Sequence, residues 1–245
     1  MKRAKPVQAV YDALGAHYDA MMRDPVESSW NHVLERPALA ALLRSEIRGK
    51  AVADIGCGSG DFTAMLARWG AGAVTGVDFS KTLLGIARER YPEHSFRYGT
   101  ATKTGLPARA FDVVVSSMML HYLKNVRPHF REVRRMLRPG GVYVFSTHHP
   151  FFQARGDDPF RPHVSLQELR YLPRQPYQWK MMKTLRLHGY CHTFAQLADD
   201  LSREGFVIQR ISEPTWKKKR GAPVPDEHAL VSRLPPFLIL KARRA

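Results

Sequence analysis

The residues with the clearest chemical potential are a glycine cluster and two carboxylates. Asp54-Ile55-Gly56-Cys57-Gly58-Ser59-Gly60 follows directly on the apolar run Ala51-Val52-Ala53. Glycines on alternate positions let the backbone take positive φ and come close to a ligand. Helical spacing starts behind them with Phe62, Met65, Leu66 and Trp69, so the positive end of a helix faces the same place and favours negative charge. Asp78 ends the next apolar run, 24 residues after Asp54. A carboxylate there can accept from both hydroxyls of a ribose. Together these features predict a nucleoside-binding crevice at the carboxyl ends of strands. The spacing is not the nicotinamide or flavin fingerprint, because the sixth position from Gly56 is Asp61 rather than glycine. No Gly-Lys-Ser/Thr follows, which excludes a Walker loop.

The elements that must position these groups are legible as an alternation. The strand Ala51 to Ile55 is followed by a helix. Ala73 to Val77 is a strand ending at Asp78, and Ser80 can cap a helix carrying Leu83, Leu84 and Ala87. Phe96 to Gly99 reads as a weak strand, and Phe111 to Ser117 as a strand buried on both faces. Pro128 to Leu137 reads as a helix stopped by Pro139-Gly140-Gly141, and Val142 to Ser146 as the next strand. The expected fold is α/β: doubly wound, Rossmann-like, a mostly parallel seven-stranded sheet with helices on both faces. Residues 7 to 47 read as helical, broken by Pro25 and Pro37. After Thr147 the alternation lapses for about 45 residues rich in Pro, Arg, His and aromatics, too long for a plain connection. This reads as a cap inserted after the fifth strand. Thr193-Phe194-Ala195-Gln196 reads as a capping box opening the last helix, and Phe206 to Ile211 and Phe237 to Lys241 as two closing strands. The expected organisation is a single domain over 1–245: an N-terminal helical lid (1–48), a core (49–147), a substrate cap (148–192), and the last helix with two strands (193–245). The link from Pro214 to Pro236, with its run Lys217 to Arg220, reads as an exposed loop.

Four motifs in order carry a family resemblance. Val52 to Asp61, Val74 to Ser80, Leu106-Pro107 with Phe111 to Ser117, and Leu137 to Gly141 resemble the successive motifs of class I S-adenosylmethionine-dependent methyltransferases, small-molecule branch. Leu120 to Leu123, Ser146 to Pro150 and the stretch from Gly205 to Pro214 look like the same branch. The resemblance implies S-adenosylmethionine as cofactor. It would place the methionine carboxylate over the loop of Asp54, Gly56, Cys57, Gly58 and Gly60, the ribose on Asp78, adenine against Phe79 and along Thr100 and Ala101, and the sulfonium near Ser117 and Met118. Many members carry an acid where this chain has Thr100, a weaker acceptor for the adenine amine. Tyr11 and Tyr18 would fold over the cofactor from the N-terminal helix.

Methyl transfer from a sulfonium needs a positioned acceptor and, where the acceptor carries a proton, a base. Of the eleven histidines, His17, His32, His94, His129 and His228 fall in helical or surface positions. His149 follows the fifth strand, His121 the fourth, and His192 precedes the last helix, so these three are the candidate bases, His149 first. Phe151, Phe152, Tyr177 and Trp179 of the cap would line an aromatic substrate pocket, with Gly156 and Gly189 as hinges. His148-His149 with His192 lacks a carboxylate at ligand spacing, so no metal is expected.

Composition bounds the rest. Hydrophobic residues at 44% exclude disorder for the bulk of the chain, and no run reaches the ~20 apolar residues of a membrane span. With no apolar leader and two cysteines, Cys57 and Cys191, the expected compartment is the cytoplasm. The net charge of +16 raises RNA or tRNA methylation as the alternative. Against it, Ser116 to Met119 stands where base-amine enzymes carry Asn/Asp-Pro-Pro-aromatic, and neither cysteine follows a proline. The predicted partner is a small molecule, with no specific nucleic acid. The arginines of Pro128 to Arg138 fall on a solvated helix face, opposite Phe130, Val133, Met136 and Leu137.

Overall fold

The computed structural model describes residues 7–24, 30–154, 171–174, 176–182, 185–216 and 234–245. Five strands alternate with helices: β1 (Ala51–Ile55), α3 (Asp61–Arg68), β2 (Ala73–Asp78), α4 (Lys81–Arg90), β3 (Ser95–Tyr98), β4 (Phe111–Ser116), α5 (Arg127–Met136) and β5 (Leu137–His148). Before them stand α1 (Val7–Arg23), a π-turn at Asn31–Glu35 and α2 (Arg36–Ile47). After them come the short α6 (Pro150–Gln153), the strands β6 (Pro176–Met182) and β7 (Leu185–Tyr190), then α7 (Phe194–Arg203), β8 (Phe206–Ser212) and β9 (Phe237–Arg244). The main sheet has seven strands in the order β3-β2-β1-β4-β5-β9-β8. The first five run parallel, and β9 inserts antiparallel between β5 and β8. This is the doubly wound, mostly parallel sheet expected from the alternation.

Strand β4 explains why the centre reads as an unbroken apolar run. Val113 and Val115 face one side, where Leu39, Leu43 and Ile47 of α2 and Phe62 and Leu66 of α3 pack on them. Val114 faces the other, against Phe130 and Val133 of α5, Leu197 and Leu201 of α7, and Tyr143 and Phe145 of β5. A strand covered on both faces needs apolar residues at every position.

Three local readings are corrected. Pro37 does not break the helix; it lies in the first turn of α2, and the wide turn before it, closed by Arg36 N–H on the Asn31 carbonyl, absorbs its missing donor and bulky ring. Pro25 lies outside the described residues. Strand β5 begins at Leu137, not Val142: Phe111 pairs with Leu137, then the register jumps to Val113 with Val142, so Pro139-Gly140-Gly141 forms a bulge within the strand. The capping box is half formed. Thr193 accepts from Gln196 N–H, but the Gln196 side chain turns to His192 instead of back to the cap.

The cap contains structure that periodicity did not reveal: α6 and the antiparallel β6–β7 hairpin, in which Tyr177 pairs with Gly189. A Cβ on Gly189 would sit 2.8 Å from the Tyr177 ring, so this glycine clears space for the ring instead of serving as a hinge. Gly156 and the basic run Lys217 to Arg220 lie outside the described residues. Among those described, no helix is long and apolar enough to cross a membrane.

The lid is tied down where α4 begins. Ser80 Oγ accepts from Leu83 N–H and donates to Asp12 Oδ1 on α1 at 2.8 Å, so one hydroxyl both caps α4 and anchors the lid. Ser80→Ala is expected to cost about 1–2 kcal/mol and lower the melting temperature by a few degrees, with faster proteolysis within α1 than in the wild type. Thermal melts with timed proteolysis check both.

Candidate active site

A cavity of about 250 Å³ opens over the carboxyl ends of β1 and β4. Its floor is Asp54 and the glycine loop; Ser117 and Met118 form one wall, and Tyr18, Met22 and Arg36 of the lid overhang it. Gly56, Gly58 and Gly60 have φ of +82°, +55° and +85°. The three serve different ends. Side chains at Gly56 or Gly60 would strike Met119 or Phe96 below 3 Å, whereas one at Gly58 would meet nothing nearer than Leu83 at 4.0 Å. Gly58 therefore keeps open a space that faces a ligand.

Asp54 is 1% exposed. Its Oδ2 accepts from Thr63 Oγ1 at 2.7 Å, while among the described residues Oδ1 has no hydrogen-bond partner. Burial pushes its carboxyl up to about 6, partly offset by the Thr63 bond. Asp78, at the end of β2, accepts from Gly58 N–H at 2.9 Å and from Ser80 N–H at 2.8 Å, and each oxygen keeps a second lone pair. Burial raises its carboxyl also, against those backbone donors. An amino-acid nucleoside fits this set, with an ammonium for the orphaned Asp54 oxygen and a ribose diol for the Asp78 lone pairs; the N–H groups of Gly56, Cys57, Gly58 and Gly60 already donate to Val77, Asp78 and Cys57, so they are not free for its carboxylate.

The other cofactor candidates are placed as follows. The Cys57 side chain turns into the core, against Gly76 and Phe96, and burial lifts its thiol well above the ordinary range, so only its backbone borders the cavity. Phe79 packs edge-on to Tyr11, which stands edge-on to Tyr18, and the Tyr11 and Tyr122 hydroxyls share a 2.7 Å bond. Met118 holds φ of +51°, unusual for a side-chain-bearing residue, pinned by its N–H on Ser146 Oγ. Thr100 is exposed, and its hydroxyl accepts from Lys103 N–H. The Ala101 carbonyl accepts from His129 Nδ1. His129, read from the sequence as helical or surface, is fully buried; Tyr143 donates to its other nitrogen, and burial holds it near 4.

The candidate bases separate by their bonds. His149 Nδ1 accepts from Phe151 N–H, capping α6, and its Nε2 meets Glu213 at 2.9 Å. His192 Nε2 donates to the Leu120 carbonyl and Nδ1 accepts from Gln196. Both imidazoles thus spend their two nitrogens joining elements of the fold, and none of His121, His148, His149 and His192 is among the residues that line the cavity. His121 is buried, stacks on His148 at 4.2 Å and meets Tyr122 at 4.2 Å with the rings tilted by 49°. The sequence considered His148 only as a metal ligand, yet its Nδ1 lies 2.6 Å from the Tyr177 hydroxyl, which Gln153 also contacts. Among the described residues, no three His, Cys, Asp or Glu side chains are grouped to hold a metal.

Of the aromatic pocket residues, Tyr177 is buried inside the cap. Phe152 is buried against Trp30. Phe151 departs from expectation: it is 51% exposed and packs outward on Tyr171 and Phe194. Trp179 lies on β6, opposite Leu187 in register, and its side chain is outside the described set. Glu35 and Arg36 had no sequence signal, because a charged pair on an amphipathic helical segment reads as a solvated face.

Comparison with known proteins agrees with this architecture. Residues 53–145 match the family model described as a methyltransferase domain. The crystal structure of an S-adenosylmethionine-dependent methyltransferase from Mesorhizobium loti is 31% identical, covers 85% of this chain and 96% of that one, and superposes with a TM-score of 0.68. An uncharacterized protein of Haemophilus influenzae is 25% identical over 93% of this chain and 92% of its own length. A demethylmenaquinone methyltransferase of Listeria welshimeri is 31% identical over 57% of this chain, a match spanning 61% of that protein. The chain belongs to the class I S-adenosylmethionine-dependent methyltransferases. It is an S-adenosylmethionine-dependent methyltransferase, and S-adenosylmethionine is its cofactor.

Two predictions follow from the cavity. Gly58→Val is expected to abolish binding of S-adenosylhomocysteine by filling the ligand space, and Asp78→Ala to weaken it by about 1.5–3 kcal/mol, both measured by calorimetry. Asp54 carries a sign of its own. Its folded carboxyl binds a proton more tightly than an ordinary aspartate at 3.8, so ionisation opposes folding and cofactor-free stability falls as pH rises from about 4 through 6. Asp54→Asn is therefore expected to raise cofactor-free stability at pH 7 by on the order of 2 kcal/mol, with the gain vanishing near pH 4, while cofactor affinity drops. Urea unfolding at the two pH values, alongside calorimetry, checks it.

Proposed function

We propose that the enzyme methylates an oxygen, nitrogen or carbon atom of a small aromatic metabolite held between the cofactor cavity and the cap. The observation that supports this reading is a continuous run of rings leading from the cavity wall into the cap. Tyr18 meets Tyr11 at 4.9 Å, Tyr11 meets Tyr122 at 5.9 Å, Tyr122 and His148 each meet His121 at 4.2 Å, and His148 meets Tyr177 at 6.1 Å. The contacts are mostly edge-on, with His121 and His148 stacked; the run supplies apolar ring surface, and its imidazoles can take a proton. The Listeria relative's name carries a quinone acceptor, in keeping with a ring substrate.

The cofactor supplies an already activated methyl group, so the chain's residues position, exclude water and accept a proton. We assign the last task to His121 and His148, the two imidazoles that belong to the run of rings. Burial drives His121 well below its ordinary range and holds His148 near 4, so both rings are neutral at physiological pH. Part of the arginine content is spent on ion pairs within the fold. Arg127 and Arg131 pair with Glu204, Arg135 with Glu132, and Arg138 with Asp112.

In a methyl-transfer screen over phenols, quinols and aromatic amines, at least one acceptor is expected to turn over, while tRNA incorporates no methyl group. With that acceptor, His148→Ala or His121→Ala should lower turnover about 10²- to 10⁴-fold and leave S-adenosylhomocysteine affinity nearly unchanged. Turnover at saturating cofactor should stay flat from pH 8 to about 5, because a base held near 4 is not protonated in that range. His149→Ala and His192→Ala should act through melting temperature instead. Full turnover in both His121 and His148 variants would leave positioning alone as the mechanism.

A further inference from the structure

The cap holds an amide whose two ends are used unequally. Gln153 closes α6 and is 4% exposed. Its N–H donates to the His149 carbonyl at 2.9 Å, and the His149 ring caps the helix and meets Glu213. The side chain is therefore aimed from a fixed backbone. Gln153 Nε2 donates to the Tyr177 hydroxyl at 3.0 Å. Among the described residues its Oε1, equally buried, has no donor. Turning the amide over would strand an NH₂ group with two donors in place of one carbonyl, so the observed orientation leaves the smaller deficit. A buried side-chain carbonyl without a donor is uncommon in folded proteins and marks a place that a ligand or water completes.

The amide stands beside an imidazole assigned to proton transfer. The Tyr177 oxygen that accepts from Gln153 also lies 2.6 Å from His148 Nδ1, so Gln153 and His148 converge on one phenol. The hairpin that carries Tyr177 also carries Leu187, which packs with Tyr11 and Tyr122 of the run of rings. A glutamine oxygen accepts hydrogen bonds and gives none, so it selects O–H and N–H groups and rejects an ether oxygen. We propose that Gln153 is a specificity-determining residue, whose Oε1 accepts a hydrogen bond from a hydroxyl or amino group on the acceptor ring beside the atom that is methylated. This rests on the aromatic-acceptor reading and narrows it. Neighbouring ring positions match two side chains that converge this closely. The group on Gln153 keeps its proton, and only the methylated atom gives one up. Tyr177 is then a positioning residue, which holds the amide with its oxygen toward the acceptor.

The test uses acceptors that differ at one ring position. Catechol and ortho-aminophenol carry a donor beside the hydroxyl, guaiacol keeps the oxygen without its proton, and phenol has neither. The ratio kcat/KM is measured for each with the wild type, Gln153→Met and Gln153→Asn. Calorimetry with S-adenosylhomocysteine reports whether each variant is folded. The wild type is expected to favour the two donor-bearing acceptors over guaiacol and phenol by at least about tenfold, because the other two leave the buried oxygen unpaired. Gln153→Met, which keeps the length without the oxygen, should bring that preference to within about threefold of unity. Gln153→Asn, which withdraws the oxygen by one carbon, should also shrink it, and it carries the comparison if the methionine variant does not fold. Equal rates on all the acceptors in the wild type, or a preference that survives both substitutions, overturns the assignment of Gln153 and leaves the aromatic-acceptor reading standing. If none of the acceptors is methylated, both fall together.

Discussion

The site depends first on how the Asp78 carboxylate is used. One oxygen accepts from Gly58 N–H and the other from Ser80 N–H. The first bond ties the glycine loop of one strand–helix unit to the strand end of the next. The second fixes the start of α4, whose cap, Ser80, reaches across to Asp12 of the lid. A carboxylate that is almost wholly buried is costly unless such donors surround it. The constraint therefore runs both ways: the loop cannot open without exposing an unpaired acid, and the acid cannot move without releasing the loop and the lid anchor. The cavity inherits its shape from this pair of bonds.

Charge inside the site follows a different rule from charge outside it. On the α5 surface, arginines pair with acids across exposed geometry, where each pair contributes little. Around the cavity, Asp54, Asp78 and Glu35 are buried with only partial compensation. A methyltransferase must hold a cofactor with a sulfonium and an ammonium, and an acid-rich floor is what such a ligand completes. Burial raises the carboxyls of Asp54 and Asp78 accordingly.

Between the cavity wall and the β6–β7 hairpin, packing is carried by a run of rings rather than by fixed charges. His121 lies between Tyr122 and His148, and burial keeps the imidazoles neutral. The hairpin supports this stack because Gly189 makes room for the Tyr177 ring, whose hydroxyl contacts both His148 and Gln153. Adjacent residues divide the labour: His148 faces the ring stack, while His149 locks α6 to the Glu213 segment.

The sequence alone determined what depends on backbone dihedrals and short-range period. Three glycines in G-x-G-x-G can be read as a loop with positive φ because no other residue takes that conformation cheaply, and the structure gives all three positive φ. The alternation of apolar runs with helical spacing was enough for a doubly wound sheet with Asp78 at a strand end. Which side chains from distant segments meet was decided only by the tertiary structure. The spacing of His148, His149 and His192 cannot show which rings have their nitrogens already used. That Phe151 points outward and Phe152 inward depends on the rotation of a four-residue helix. Glu35 and Arg36 look like a solvated pair until the π-turn before Pro37 rotates one under β4 and β5 and the other over the glycine loop. Local pattern encodes the conformation of a segment, whereas contacts across 80 or more residues, such as Arg36 with Ser117, arise only when the sheet brings its strand ends together.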